Sequence, residues 1–133
     1  MLAGFFKIVS LFLARNLLYY LCNQQKTNTM KVHNLTNFDR VNGTSFHKDI
    51  IYASANEICE KLDVDITCYG GDKTNFELEL ETEDGTPFTI YDWKEGDWVT
   101  EDTKLYYHIG AHTAEDSHKA LAVLKEHGLE TRG

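Results

Sequence analysis

Phe76-Glu77-Leu78-Glu79-Leu80-Glu81-Thr82-Glu83-Asp84-Gly85-Thr86-Pro87-Phe88-Thr89-Ile90-Tyr91-Asp92-Trp93 is the stretch whose reading decides the fold. Phe76, Leu78 and Leu80 alternate with Glu77, Glu79 and Glu81, the period of two that marks a half-buried strand. Asp84-Gly85 is a turn signal, and a three-residue loop, Glu83 to Gly85, would put Gly85 in the left-handed conformation such loops favour. That loop sets Leu80 opposite Phe88 and Leu78 opposite Ile90, so both strands bury their apolar side chains on one face. A two-residue loop would set Leu80 opposite Thr89 and turn one strand's apolar set outward. The hydrophobic pattern therefore selects the three-residue loop. The opposite face then carries the glutamates with Thr89 and Tyr91.

Working outward, Leu105 to Ile109 reads as a third strand that buries Leu105, Tyr107 and Ile109, and it runs into Gly110-Ala111-His112-Thr113. Thr113 is placed to cap a last helix, with Asp116 three positions on. The stripe of that helix is Ala114, Leu121, Leu124 and, at its edge, Ala120. Gly128 ends it, and Leu129 is placed to close a C-terminal apolar contact. Upstream, Ser54 with Glu57 forms a capping box for a helix over Ala55 to Leu62. A short strand around Phe46 to Tyr52 leads into it. Lys31 to Gly43 is polar and turn-rich and reads as an irregular arm. Ile66 to Tyr69 reads as a loop or a weak edge strand. The expected architecture is α+β: a three-stranded antiparallel sheet, with room for a fourth edge strand, and two helices packed on one face.

The chain has 133 residues, 42% of them hydrophobic and 26% charged, enough for one domain with a modest core. Its net charge of −8 conceals an asymmetry, because residues 1–29 hold Lys7, Arg15 and Lys26 and no acid. All 21 carboxylates lie from Met30 onward against ten Lys and Arg, a balance of −11 for residues 30–133. Such a surface gains nothing from counterion release on a phosphate backbone, so direct nucleic-acid binding is disfavoured. Cys22, Cys59 and Cys68 have neither a disulfide-framework pattern nor zinc-ligand spacing, which points to a reducing compartment.

Residues 1–29 form an apolar leader that Lys7 and Arg15 cut into short runs. It is too interrupted for a spanning helix and lacks the small residues of a signal cleavage site. Two readings stay open: an upstream extension ahead of Met30, or a segment lying on a membrane surface with Lys7 and Arg15 near one helical face. The domain organisation expected is this leader followed by one acidic α+β domain over residues 30–133.

Several segments carry a family resemblance. Ser45-Phe46-His47, Glu81-Thr82-Glu83-Asp84-Gly85, Phe88-Thr89-Ile90-Tyr91-Asp92-Trp93-Lys94-Glu95 and His108-Ile109-Gly110-Ala111-His112 resemble a group of small bacteriophage-encoded proteins of unassigned function. The resemblance spans nearly all of Met30 to Leu129 and none of the leader. In that group a Trp precedes the His-Ile-Gly segment, where this chain has Tyr107. The resemblance implies a viral origin, an intracellular life in the host cytoplasm, and Met30 as the start. It supplies no activity and no catalytic residue.

No catalytic signature is legible in the residues themselves, no cofactor is implied, and the chain is expected not to be an enzyme. His108, His112 and His118 invite a metal reading with Asp92 or Asp116, but a closed site needs more placed ligands than the sequence offers. No metal site is therefore expected. Gly110 to Thr113 opens a helix, so His108, His112 and Thr113 are candidates for a small-ligand or nucleotide site. Glu115 and Asp116 in the first turn weaken the field available to a second anion there. Tyr91, Trp93, Trp98 and Tyr106 are the candidates for partner contact, because Trp and Tyr give large contact area with little entropy loss. The stripe Glu77, Glu79, Glu81, Glu83 and Asp84 reads either as a solvated sheet face or as a mimic of a phosphate row. The expected function is a non-enzymatic binding module acting on a host protein, with homo-oligomerisation open. A ligand site at His108 and His112, or a membrane-associated protein, are the alternatives.

Overall fold

A computed structural model of the chain describes residues 14–18 and 29–133. Most of the expectation for residues 1–29 lies outside the described residues. Among those described, no helix is long and apolar enough to cross a membrane.

The elements in chain order are β1 (Val32–Asn34), a 3-10 turn (Phe38–Val41), β2 (Ser45–Ala53), α1 (Ala55–Leu62), β3 (Cys68–Tyr69), β4 (Phe76–Thr82), β5 (Pro87–Tyr91), β6 (Leu105–Ala111), α2 (Ala114–Glu126) and β7 (Glu130–Arg132). They build one antiparallel seven-stranded sheet in the order β1-β4-β5-β6-β2-β7, with β3 beside β1 on the outer edge of β4. The expected three-stranded sheet with at most one further edge strand is thus corrected to seven strands.

Three of the additional strands, β2, β7 and β1, have a physical reason for their weak sequence signal. In β2 the three residues His47, Lys48 and Asp49 face the single Ile109 of β6, and Lys48 takes φ 73°. This bulge breaks the alternation that would otherwise have declared a nine-residue strand. The short strand β7, Glu-Thr-Arg, has no apolar residue and pairs with β2 through its backbone. Strand β1 lies inside the polar arm, and of its residues only Val32 is buried.

The hairpin has the expected register, Leu78 with Ile90 and Leu80 with Phe88, and Gly85 sits at φ 88° in the turn. Ser54 Oγ accepts from the Glu57 backbone N–H at 3.1 Å, and Thr113 Oγ1 from that of Asp116 at 3.0 Å. Past α2 the Leu129 N–H reaches the Leu124 carbonyl and the Gly128 N–H that of Lys125, a paired closure that glycine's φ of 88° permits. Leu129 is buried as that motif requires.

One apolar core lies between the inner sheet face and the two α-helices. Leu78, Leu80, Phe88, Ile90, Tyr107, Ile109 and Ile51 supply its sheet side, with Ile58 and Leu62 from α1 and Ala120, Val123 and Leu124 from α2. Ala114, expected in the apolar stripe of α2, is exposed, and the buried Ser117 takes part instead.

The acidic turn is anchored to the helix layer. Lys119 of α2 pairs with Asp84, whose carboxylate also accepts from Thr82 and Thr86. The Lys119 and Thr82 hydrogen bonds lower its pKa from 3.8 to about 2. Because the folded value is the lower one, this contribution is complete above pH 3.8 and disappears as pH falls through about 2. Thermal melts of wild type and Asp84→Asn should therefore differ at pH 7, and the gap should close between those two values. A gap unchanged down to pH 2 would contradict this role.

Candidate functional site: the outer face of the sheet

The alternation that fills the core leaves a second, outward set of side chains, and strand pairing arranges them in rows. Glu77 of β4 stands opposite Tyr91 of β5, which stands opposite His108 of β6. In the next row Glu79 faces Thr89, Thr89 faces Gly110, and Gly110 faces Phe46 of β2. The Phe46 and His108 rings stack at 4.0 Å and 13°. Tyr91 meets His108 edge-on at 5.5 Å and Trp93 edge-on at 6.2 Å. Burial pulls the His108 imidazole below its ordinary pKa, with Glu95 acting in the opposite direction. A neutral ring suits a place between two aromatics.

Gly110 sets how closely these rows approach. A Cβ there would collide with Thr89 Oγ1 and lie 3.3 Å from Tyr91 Cε1. Thr44, at the end of the arm, closes over the same point, and the 3-10 turn lies against β5. The arm is held by Arg40, which pairs with Glu81 and donates to the Gly85 carbonyl. Beside Gly110 a hollow of about 240 Å³ opens between Tyr91, Trp93 and Glu77.

Asp92 fixes where Trp93 leaves the sheet. Its carboxylate is fully buried and accepts from the backbone N–H of Asn75 at 2.7 Å, that of Phe76 at 2.9 Å and the Asn75 side-chain amide at 2.7 Å. The end of β5 is thereby tied to the start of β4. On the exposed side, Lys73 and Lys94 stand over the Trp93 indole at 5.5 and 5.6 Å.

The structure brings some of the candidate residues together and separates others. Tyr91, Trp93 and His108 share one cluster. Tyr106 lies on the same face but pairs with Tyr52 at 4.9 Å, with the Arg132 guanidinium above it at 5.1 Å. Trp98 stands on the β5–β6 loop, 63% exposed, folded over Gly96. His112 contacts the Arg40 carbonyl at 2.7 Å, and Thr113 is engaged as the α2 cap. His108 lies against Phe46 and Tyr91 within β6, whereas His112 lies just past the end of that strand, so the two rings have different neighbours. Among the described residues no group of three His, Cys, Asp or Glu could hold a metal ion.

Phe46 and Gly110 belong to the cluster and were missing from the candidates. Phe46 could have been found only by anticipating the β2 bulge. The acidic stripe also divides: Glu81 pairs with Arg40, Asp84 with Lys119, and Glu83 receives the Lys31 N–H, so three of its five members are already engaged. That division argues against a phosphate-row mimic. A further polar cluster lies under α2, where the buried Asp49 Oδ2 accepts from Ser117 Oγ at 2.7 Å and lies 2.6 Å from His118 Nδ1. It binds the bulge of β2 to the helix.

No family model matches the chain, nor does any curated protein or solved structure. The functional reading therefore depends on this geometry.

Removing the Asp92 carboxylate takes the acceptor from the backbone N–H groups of Asn75 and Phe76 and from one of the two bonds of the Asn75 amide, which keeps the Gly96 carbonyl. Bonds to a charged acceptor are worth about 1.5–3 kcal/mol each, so Asp92→Ala should cost at least about 3 kcal/mol in urea unfolding. The near-UV circular dichroism of the tryptophans should change with it. A loss below about 1 kcal/mol would remove Asp92 from this role.

Proposed function

We propose that the protein is a non-enzymatic binding module of viral origin that acts inside a host cell by contact with a host protein. The observation that carries this reading is the aromatic cluster of Phe46, His108, Tyr91 and Trp93 on an open sheet face. Phe46 and Trp93 keep 40% and 41% of their surface exposed. Large rings that are prearranged yet uncovered have already met the entropic cost of ordering, and association then gains their burial. Tyr106 lies on the same sheet face, and Trp98 stands exposed on the adjoining β5–β6 loop. The acidic balance favours a partner with a basic patch and speeds encounter with it. The resemblance to phage-encoded proteins supports the host setting, and no catalytic constellation competes for the same residues.

Trp93 and Trp98 both lie outside the core. Replacing both by Ala should change folding stability by no more than about 1 kcal/mol while abolishing recovery of the partner from host lysate. Urea titration and affinity capture with the full chain measure the two quantities separately. An unfolded double variant, or one that still captures the partner, contradicts the reading.

A further inference from the structure

Glu77 is the one acid of the hairpin's outer face that directly opposes an aromatic ring, Tyr91. It is partly buried, and among the described residues no cation or hydrogen-bond donor meets its carboxylate. Glu81 and Asp84, on the same hairpin, have Arg40 and Lys119. A carboxylate withdrawn from water without a countercharge is costly, and burial accordingly raises the Glu77 pKa. Such a group is poised to gain from a charge that arrives.

The hollow beside it, about 240 Å³, has the complementary walls. Tyr91 and Trp93 present rings inclined at 79°. Thr44, Thr74 and Thr89 also line it, and at its floor Gly110 lets Thr89 and Tyr91 approach where a Cβ would collide with Thr89 Oγ1. Among the described residues, Glu77 is the only charged one of this lining. Lys73 and Lys94 line the neighbouring hollow instead, where Asp72 and Asp97 stand with them.

Resting on the binding reading above, we propose that this hollow seats an arginine side chain of the partner, its guanidinium on the Glu77 carboxylate and against the Tyr91 and Trp93 rings. A planar guanidinium can fork onto a carboxylate and stack on an aromatic face at once. An ammonium is a compact point charge that cannot do both as well. A nucleotide would bring phosphates to a lining whose single charge among the described residues is negative, and the two lysines next door share their hollow with two aspartates. The −11 balance of residues 30–133 draws a basic segment to this face.

The test uses the full chain and the peptide Ac-Gly-Gly-Arg-Gly-Gly-amide, with its lysine and citrulline counterparts and GMP as comparison probes. The arginine peptide should shift the Trp93 indole and Gly110 amide resonances saturably at millimolar concentration, about −4 kcal/mol of binding. Citrulline, which keeps the shape and loses the charge, should bind at least about tenfold more weakly, as should the arginine peptide to Glu77→Gln. Glu79→Gln, one outward position along the strand, should bind like wild type. Equal binding of citrulline, no saturation by about 20 mM, or an unaffected Glu77→Gln overturns the arginine seat. GMP shifting the same resonances more tightly overturns it in favour of a nucleotide. Partner capture that survives Glu77→Gln but not the double tryptophan variant would leave the binding face standing without an arginine anchor. Capture that survives both defeats the binding reading itself.

Discussion

Asp92 is the constraint on which the outer face depends. A carboxylate with no solvent exposure is tolerable only when its oxygens are fully used, and here two backbone N–H groups and an amide use them. The same bonds tie Asn75 and Phe76, where β4 begins, to the residue after β5. Tyr91 therefore stays in the sheet, Trp93 emerges from a defined point, and a hollow opens on either side of Thr74. Without that node the β5–β6 loop would have little to orient its aromatic residues.

The two faces of the sheet divide the labour. The inner face is apolar and closed by α1 and α2, and it supplies the core. The outer face is covered in part by the arm, where Arg40 neutralises Glu81 and Thr44 closes over Gly110. Beyond the arm the aromatic cluster is left open beside an uncompensated carboxylate. Charge on this face is thus sorted rather than uniform: one end of the acidic stripe serves the fold, while Glu77 stands free of any cation among the described residues.

Much of this was legible in the sequence, for identifiable reasons. The hairpin register followed from alternation and one glycine, and both helix starts from side chains able to cap them. The closure after α2 followed from Gly128 and Leu129. Strands β1 and β7 were not legible, because a three-residue strand paired through its backbone needs no apolar pattern. The full length of β2 was hidden by its bulge, and with it the place of Phe46 beside His108. At the site, alternation alone put Tyr91 and Glu77 outward, but which acids are paired is decided by Arg40 and Lys119, remote in sequence. The separate surroundings of His108 and His112 likewise emerged only once His112 was seen just past the end of β6, fastened to the arm.

The central claim is that this molecule acts through its outer sheet face. Oxidative footprinting of the full chain, free and in the complex recovered from host cells, measures the exposure of individual rings. Protection should fall on Phe46, Trp93, Trp98 and Tyr106, with Tyr69, exposed on the edge strand β3 against Phe76, oxidised as before. Unchanged oxidation of Trp93 and Tyr106 in the complex, or protection confined to Tyr69, would contradict the account.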